Sequence, residues 1–163
     1  MINSVFECIT DKLENYFNMI YSESAPKILV SNIVGHDGEL VLDPVTNQVV
    51  LTLINVEGLE FGSVRDYSNK PQHIQLTFVV SVFTQQDYME GLSFLSSAIA
   101  FFQENPVFTD ENTPQLDDRI SKLEFSIATV ALQDINGIWG AMGAKYLPSV
   151  VYRVKTLTYT STN

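Results

Sequence analysis

The segment His73–Thr84 changes face at every residue. Ile74, Leu76, Phe78, Val80 and Val82 share one side, while His73, Gln75, Thr77 and Ser81 share the other. A period of two is the pleat of a half-buried β-strand, and its apolar side requires a second layer to cover it. The pattern then switches to helical spacing without a linker. Across Gln85–Glu104, Tyr88, Leu92, Leu95, Ile99 and Phe102 form one apolar stripe, and Met89, Phe94, Ala98 and Phe101 form a second. A helix apolar on two sides needs burial on two sides. The second cover is either a long loop of the same chain or another subunit. Thr84 with Asp87 can cap the start of this helix, and Asn105-Pro106 ends it.

The remaining pattern fits around this strand and helix. Ile2, Val5, Phe6, Ile9, Leu13, Tyr16, Phe17 and Ile20 recur at steps of three and four, which predicts an amphipathic helix from the first residues. Ser4 followed by Glu7 reads as its capping box. Ile28–Val34 and Val49–Val56 are β-prone runs separated by turns at Gly35–Gly38 and Asp43-Pro44. Gly58–Pro71 is a polar loop, and Thr109–Asp118 is an acidic one. Lys122–Val130 and Ser149–Tyr159 read as strands, with a short helix or turn over Leu132–Gly143. We expect one α+β domain over residues 1–163, a mostly antiparallel sheet packed against two main helices.

The charge pattern excludes several functions. The 163 residues carry a formal net charge of −10. Nucleic-acid binding by counterion release needs clustered lysine and arginine, and adhesion to anionic lipid needs the same. The imbalance is not uniform: residues 1–118 hold 17 acids and 4 bases, whereas residues 119–163 hold 2 acids and 5 bases. A solvated acidic surface accounts for this; so do head-to-tail contacts between copies, where opposite charge sets register. Cys8, alone, forms no intrachain disulfide and supports no cysteine zinc cluster. No signal peptide opens the chain, and no run approaches membrane-spanning length, so synthesis in the cytoplasm is expected.

No constellation for chemistry emerges. There is no activated nucleophile beside a base, no phosphate-cradling P-loop and no dinucleotide fingerprint around Gly137, Gly140 and Gly143. His36 sits in a turn and His73 opens a strand on its polar side. Asp37, Glu39 and Asp43 offer oxygen to calcium, but their spacing is not that of an EF-hand. The expectation is a non-enzyme with no catalytic residue, no cofactor and no metal. Trp139 and the nearby tyrosines Tyr146 and Tyr152 are amphipathic groups that act either as core anchors or as interface hot spots. Core is the default for a lone tryptophan.

These residues also carry a resemblance. The opening helix, the polar segment Val64-Arg65-Asp66-Tyr67, the strand Gln75–Val80 running into a helix that ends at Phe101–Pro106, and the block Trp139 to Tyr152 occur in order. This order resembles the N-terminal domain of the cap, or tail-terminator, proteins of extracellular contractile injection systems, of the antifeeding prophage and Photorhabdus virulence cassette type. Asp66 stands where the family usually has asparagine, and longer members continue past this domain.

The resemblance implies a tail-terminator-like fold and a hexameric ring of identical subunits. That ring ends the inner tube and sheath, contacts the proteins of both, and cooperates with a separate cap or plug protein. It belongs to a particle that is either released or membrane-anchored, without itself inserting into the membrane. Interface candidates are then Arg65, Asp66 and Tyr67 in the polar loop, Met89, Phe94 and Phe101 on the second helix, Trp139, Tyr146 and Tyr152, and Tyr159 near the end. Two other readings stand beside it: a tail-completion protein of a contractile phage, and a small-ligand or calcium-binding domain.

Overall fold

The computed structural model describes residues 1–59, 73–85 and 87–158. Helix α1 (Ile2–Tyr21) forms from the predicted apolar spacing and buries Val5, Phe6, Cys8, Ile9, Leu13 and Phe17. Its start corrects the expected capping box. The helix is already under way at Ile2, with Met1 as the cap position and no side-chain cap. Ser4 therefore lies inside the first turn, and its hydroxyl donates to Asp117 Oδ2 at 3.3 Å, a tertiary tie instead of a local one. A single 3-10 turn, Ser22–Ser24, leads to strand β1 (Lys27–Val30).

Five further strands follow: β2 (Gln48–Leu59), β3 (His73–Phe83), β4 (Val107–Thr109), β5 (Ile120–Ile127) and β6 (Ser149–Thr158). They form one six-stranded sheet in the order β1-β2-β3-β6-β5-β4. The β1–β2 pair is parallel, and every other pair is antiparallel. The parallel pair is possible because residues 31–47 return the chain to the same end. Within that return, Gly35 N–H donates to Glu39 O, and Gly38 has φ 82°, the left-handed region that glycine adopts without strain.

Helices α1 and α2 (Tyr88–Glu104) cover one sheet face, and α3 (Leu132–Ala141) covers part of the other. The α+β fold, a mostly antiparallel sheet against two main helices, is the one expected. The first face carries the larger core. Phe78 of β3 and Tyr152 of β6 stack at 5.9 Å, and Phe102 of α2 lies 6.1 Å from Phe78 and 4.4 Å from Tyr152. Phe6 of α1 meets Phe78 edge-on at 5.6 Å, while Phe125 of β5 joins Phe102 at 5.2 Å and Phe108 of β4 at 4.7 Å. Burying each such ring contributes roughly 1.5–3 kcal/mol, with a further ~0.5–1.5 kcal/mol for a well-oriented pair.

The second face corrects the reading of β3 as half-buried. Val79 and Ser81 point away from the main core, yet both are fully buried. Val79 belongs to a second cluster with Ile33, Leu42, Val50 and Trp139, so α3 and the β1–β2 connection roof this end of the sheet. The Ser81 hydroxyl lies 3.5 Å from Val50 O, to which it donates.

The start of α2 is also later than predicted. Asp87 alone is the N-cap, its Oδ1 accepting from the Met89 and Glu90 amides at 2.9 and 3.1 Å. Thr84 packs instead against Gly91, where an added Cβ would lie 3.0 Å from its hydroxyl oxygen. The helix end is as expected: Asn105 follows it, and its backbone N–H and side-chain amide both donate to Phe101 O.

Two side chains give stability predictions. The Tyr152 hydroxyl is buried with no hydrogen-bond partner among the described residues, and burial pushes its pKa up to about 12. Tyr152→Phe keeps the ring contacts and removes only the orphan group. Urea unfolding of Tyr152→Phe is expected to match the parent or exceed it by up to ~1–2 kcal/mol, whereas Tyr152→Ala loses ~3–5 kcal/mol. A loss of more than ~1 kcal/mol in the phenylalanine variant would mean that the hydroxyl has a partner.

Asp117 links the chain start to the β4–β5 connection. It accepts from Arg119 Nε at 2.9 Å and from a terminal guanidinium nitrogen at 2.6 Å, which holds its carboxyl well below the usual carboxylate range. A depressed folded value means the contribution is complete above the ordinary carboxylate pKa of ~3.9 and is lost as pH falls below it. Asp117→Asn is expected to lower the melting temperature at neutral pH and to shrink that gap as the pH is taken towards 3 in acid titrations. Equal gaps at both pH values would contradict this role.

Candidate assembly surfaces

The sequence-stated candidates separate once the chain is folded. Phe94, Phe101 and Tyr152 lie in the main core and Trp139 in the second cluster, all at most 5% exposed. Within one chain the aromatic packing already uses their faces, and for Trp139 and Tyr152 this is the core-anchor alternative of the sequence analysis. Met89 is 68% exposed and Tyr146 is 58% exposed, so these two face outward. Arg65, Asp66, Tyr67 and Tyr159 lie outside the described residues.

The two-stripe pattern of α2 resolves accordingly. Gly91, Phe94, Ala98, Phe101 and Phe102 are buried against the sheet and α1. Tyr16 meets Phe101 edge-on at 5.4 Å, and Tyr21 meets Phe94 at 5.0 Å, so α1 supplies part of the second cover. Leu92, Leu95 and Ile99 are half-buried. Of the large apolar side chains of α2, Tyr88 and Met89 at its start are the exposed ones. The Asn47 side-chain amide donates to Glu90 Oε2 at 2.8 Å, which brings the β1–β2 connection and its Val45, 82% exposed, to that same helix start.

Helix α3 builds the second surface. Its end is a glycine-dependent cap: Gly143 has φ 64°, its N–H donates to Gly140 O, and the Ala144 N–H reaches Trp139 O. That reversal turns the chain so that Tyr146 meets the Trp139 ring edge-on at 5.5 Å. Between α3 and the start of β6 an apolar cavity of about 200 Å³ opens, with Ile135, Ile138, Trp139, Tyr146 and Val150 among its lining. Leu132, 83% exposed, opens α3 and adds an apolar side chain to the surface on this flank.

A third feature is an open strand edge. Strand β1 pairs only with Gln48–Leu51, so beyond those rows β2 has no neighbour on its outer side among the described residues. Leu53 and Val56 are exposed there, and a register shift between Leu53 and Asn55 interrupts the ladder. Such an edge is a template for another strand, which the bulge and the charge of Glu57 partly blunt.

The polar groups considered for chemistry have structural duties. Asp37 Oδ1 accepts from the Glu39 amide, and Asp43 accepts from the Val45 amide and the Thr46 hydroxyl, so both close turns. His73, read as solvent-facing, accepts at Nδ1 from the Thr158 amide at 3.2 Å. Cys8 is buried on α1, and desolvation with Asp11 and Glu7 nearby pushes its thiol pKa up, opposite to an activated thiolate. Among the described residues no three His, Cys, Asp or Glu side chains converge as a metal site, and no helix is long and apolar enough to cross a membrane.

Val45 and Leu132 escaped the sequence reading. Val45 follows Pro44 in a turn and Leu132 opens a short helix, so neither belongs to a periodic run that would have singled it out.

Comparison with known proteins gives a consistent result. The whole chain matches the fold of a sheath/tube terminator of an extracellular contractile injection system, PVC, in its extended state, at TM-score 0.65 and 14% identity. It also matches, over 95% of its length, the tube-terminating cap of the anti-feeding prophage, at TM-score 0.53 and 9% identity. The chain spans 57% and 55% of those two proteins. No curated protein matches its sequence. The family model described as the Pvc16 N-terminal domain matches residues 5–163, and the chain therefore belongs to the Pvc16 N-terminal domain family.

Proposed function

We propose that this chain is a structural subunit of a terminator or cap-adaptor ring, six-fold and built of identical copies, that ends the inner tube and sheath of a bacterial contractile injection system. The observation that carries this reading is the fold likeness over the full chain to a protein that terminates both sheath and tube. The family membership supports it. So does the distribution of the residues: the polar groups near the turns and strand ends close local structure, while exposed apolar side chains gather at the α2 start, beside α3 and along β2. A surface of this kind suits permanent protein contacts better than turnover of a small substrate.

The mechanism is coverage. The last ring of a growing tube leaves donor and acceptor surfaces open, and a terminator occupies them without offering an equivalent surface for another layer. The partners on this reading are further copies of the chain, the sheath and inner-tube proteins, and a separate cap or plug protein. No catalysis takes part. Synthesis and assembly take place in the cytoplasm, and the finished subunit sits at one end of a phage tail-like particle.

Negative-stain imaging of particles from a strain lacking this gene tests the reading. Uncontrolled tube length or unstable, spontaneously contracted sheaths are expected, with normal particles restored by the gene in trans. Particles of normal length and stability would overturn it.

A further inference from the structure

The apolar cluster at the α2 start and the cavity beside α3 are both apolar and differ in the charge at their rims. Val45, Tyr88 and Met89 are exposed, and Asp43, Asp87 and Glu90 lie within two residues of them in sequence, while Lys27 approaches the same region through its N–H, which donates to Asn47 O. Among the described residues from 28 to 118 there is no lysine or arginine, so three acids face the single cation Lys27 near this cluster. Trp139 is among the residues that line the cavity. Lys145 follows the α3 cap, and Arg153 lies two residues beyond cavity-lining Val151 on the same side of β6. Both cations are exposed and make no ion pair among the described residues. The single acid on α3 is Asp134.

Their positions in the fold are equally telling. Val150 and Val151 pair with Val80 and Val79, near the end of β3 from which α2 departs. The cluster and the cavity therefore occupy the same end of the sheet. Tyr88 and Met89 lie on the face opposite α3, since α2 packs on the main core and α3 on the second cluster, and Val45 comes from the connection that passes around this end of the sheet. Two different patches on opposite faces cannot meet through a two-fold axis; they join copies head to tail, and such a contact closes into a ring when the rotation allows.

We infer that the acid-rimmed cluster Val45, Tyr88 and Met89 of one copy seats in the α3–β6 cavity of the next, with Lys145 and Arg153 facing Asp43 and Glu90. This rests on the ring reading and names its subunit contact. Opposite charge at the rim fixes orientation, and the buried apolar contact holds it.

Engineered cysteines at Met89 and Lys145 test it in the intact chain, since both positions are exposed and native Cys8 is buried. With a short thiol crosslinker, the double variant Met89→Cys/Lys145→Cys is expected to give a ladder of covalent oligomers ending in a closed species. A mixture of the two single variants is expected to stop at the covalent dimer, and each single variant alone is expected to stay monomeric on denaturing gels. Unchanged melting of the variants shows that the fold is retained. Crosslinking of Met89→Cys by itself would overturn the inference in favour of a two-fold contact. Six-fold rings seen by electron microscopy without the ladder would overturn this contact and leave the ring reading intact. Absence of both rings and ladder, in purified protein and at particle ends, would overturn both.

Discussion

The packing of Phe102 between Phe78 and Tyr152 holds the rest of the structure in place. Phe78 belongs to β3 and Tyr152 to β6, the two central strands, and Phe102 arrives from the last turn of α2. This contact fixes the angle of α2 on the sheet. From there the aromatic contacts spread to α1 through Phe6 and to the far edge through Phe125 and Phe108. A close-packed interior transmits such a constraint because its side chains have no free volume in which to relax.

The same constraint explains how the domain can present two unlike surfaces. With α2 held on one face, its first turn overhangs the sheet end and exposes Tyr88 and Met89. The opposite face at that end is roofed by α3, which is shorter and leaves a cavity beside it. The charge follows the chain: the segment reaching the first surface is acidic and the segment forming the second carries the excess of bases. An asymmetric domain of this kind is suited to repeated head-to-tail contact, in which complementarity sets both the neighbour and its orientation.

Much of the architecture is legible without coordinates. The spacing from Ile2 to Phe17, the alternation from Ile74 to Val82 and the arrest of α2 at Asn105-Pro106 each express a local rule whose competitor is weak. What escaped depends on distant partners. The short strand β4 has too few residues to show a period, and it exists because Val107–Thr109 pair with Lys122–Glu124. The expected capping role of Ser4 gave way to Asp117, more than a hundred positions away in sequence. The burial of Val79 is invisible in an alternating strand, because alternation marks the more apolar side and says nothing of a roof over the other.

The sequence by itself determined the two long helices and the long strands, the mostly antiparallel α+β class, the charge division between the two parts of the chain and the family order from the opening helix to Tyr152. Those properties are local or additive, so they survive without a fold. Only the tertiary structure decided which apolar groups serve the core and which face outward. Phe94, Phe101, Trp139 and Tyr152 are inside, while Val45, Met89, Leu132 and Tyr146 are outside. The two sets are equally apolar to a reader of the sequence. Their separation comes from what covers each residue, and cover is supplied by elements far along the chain.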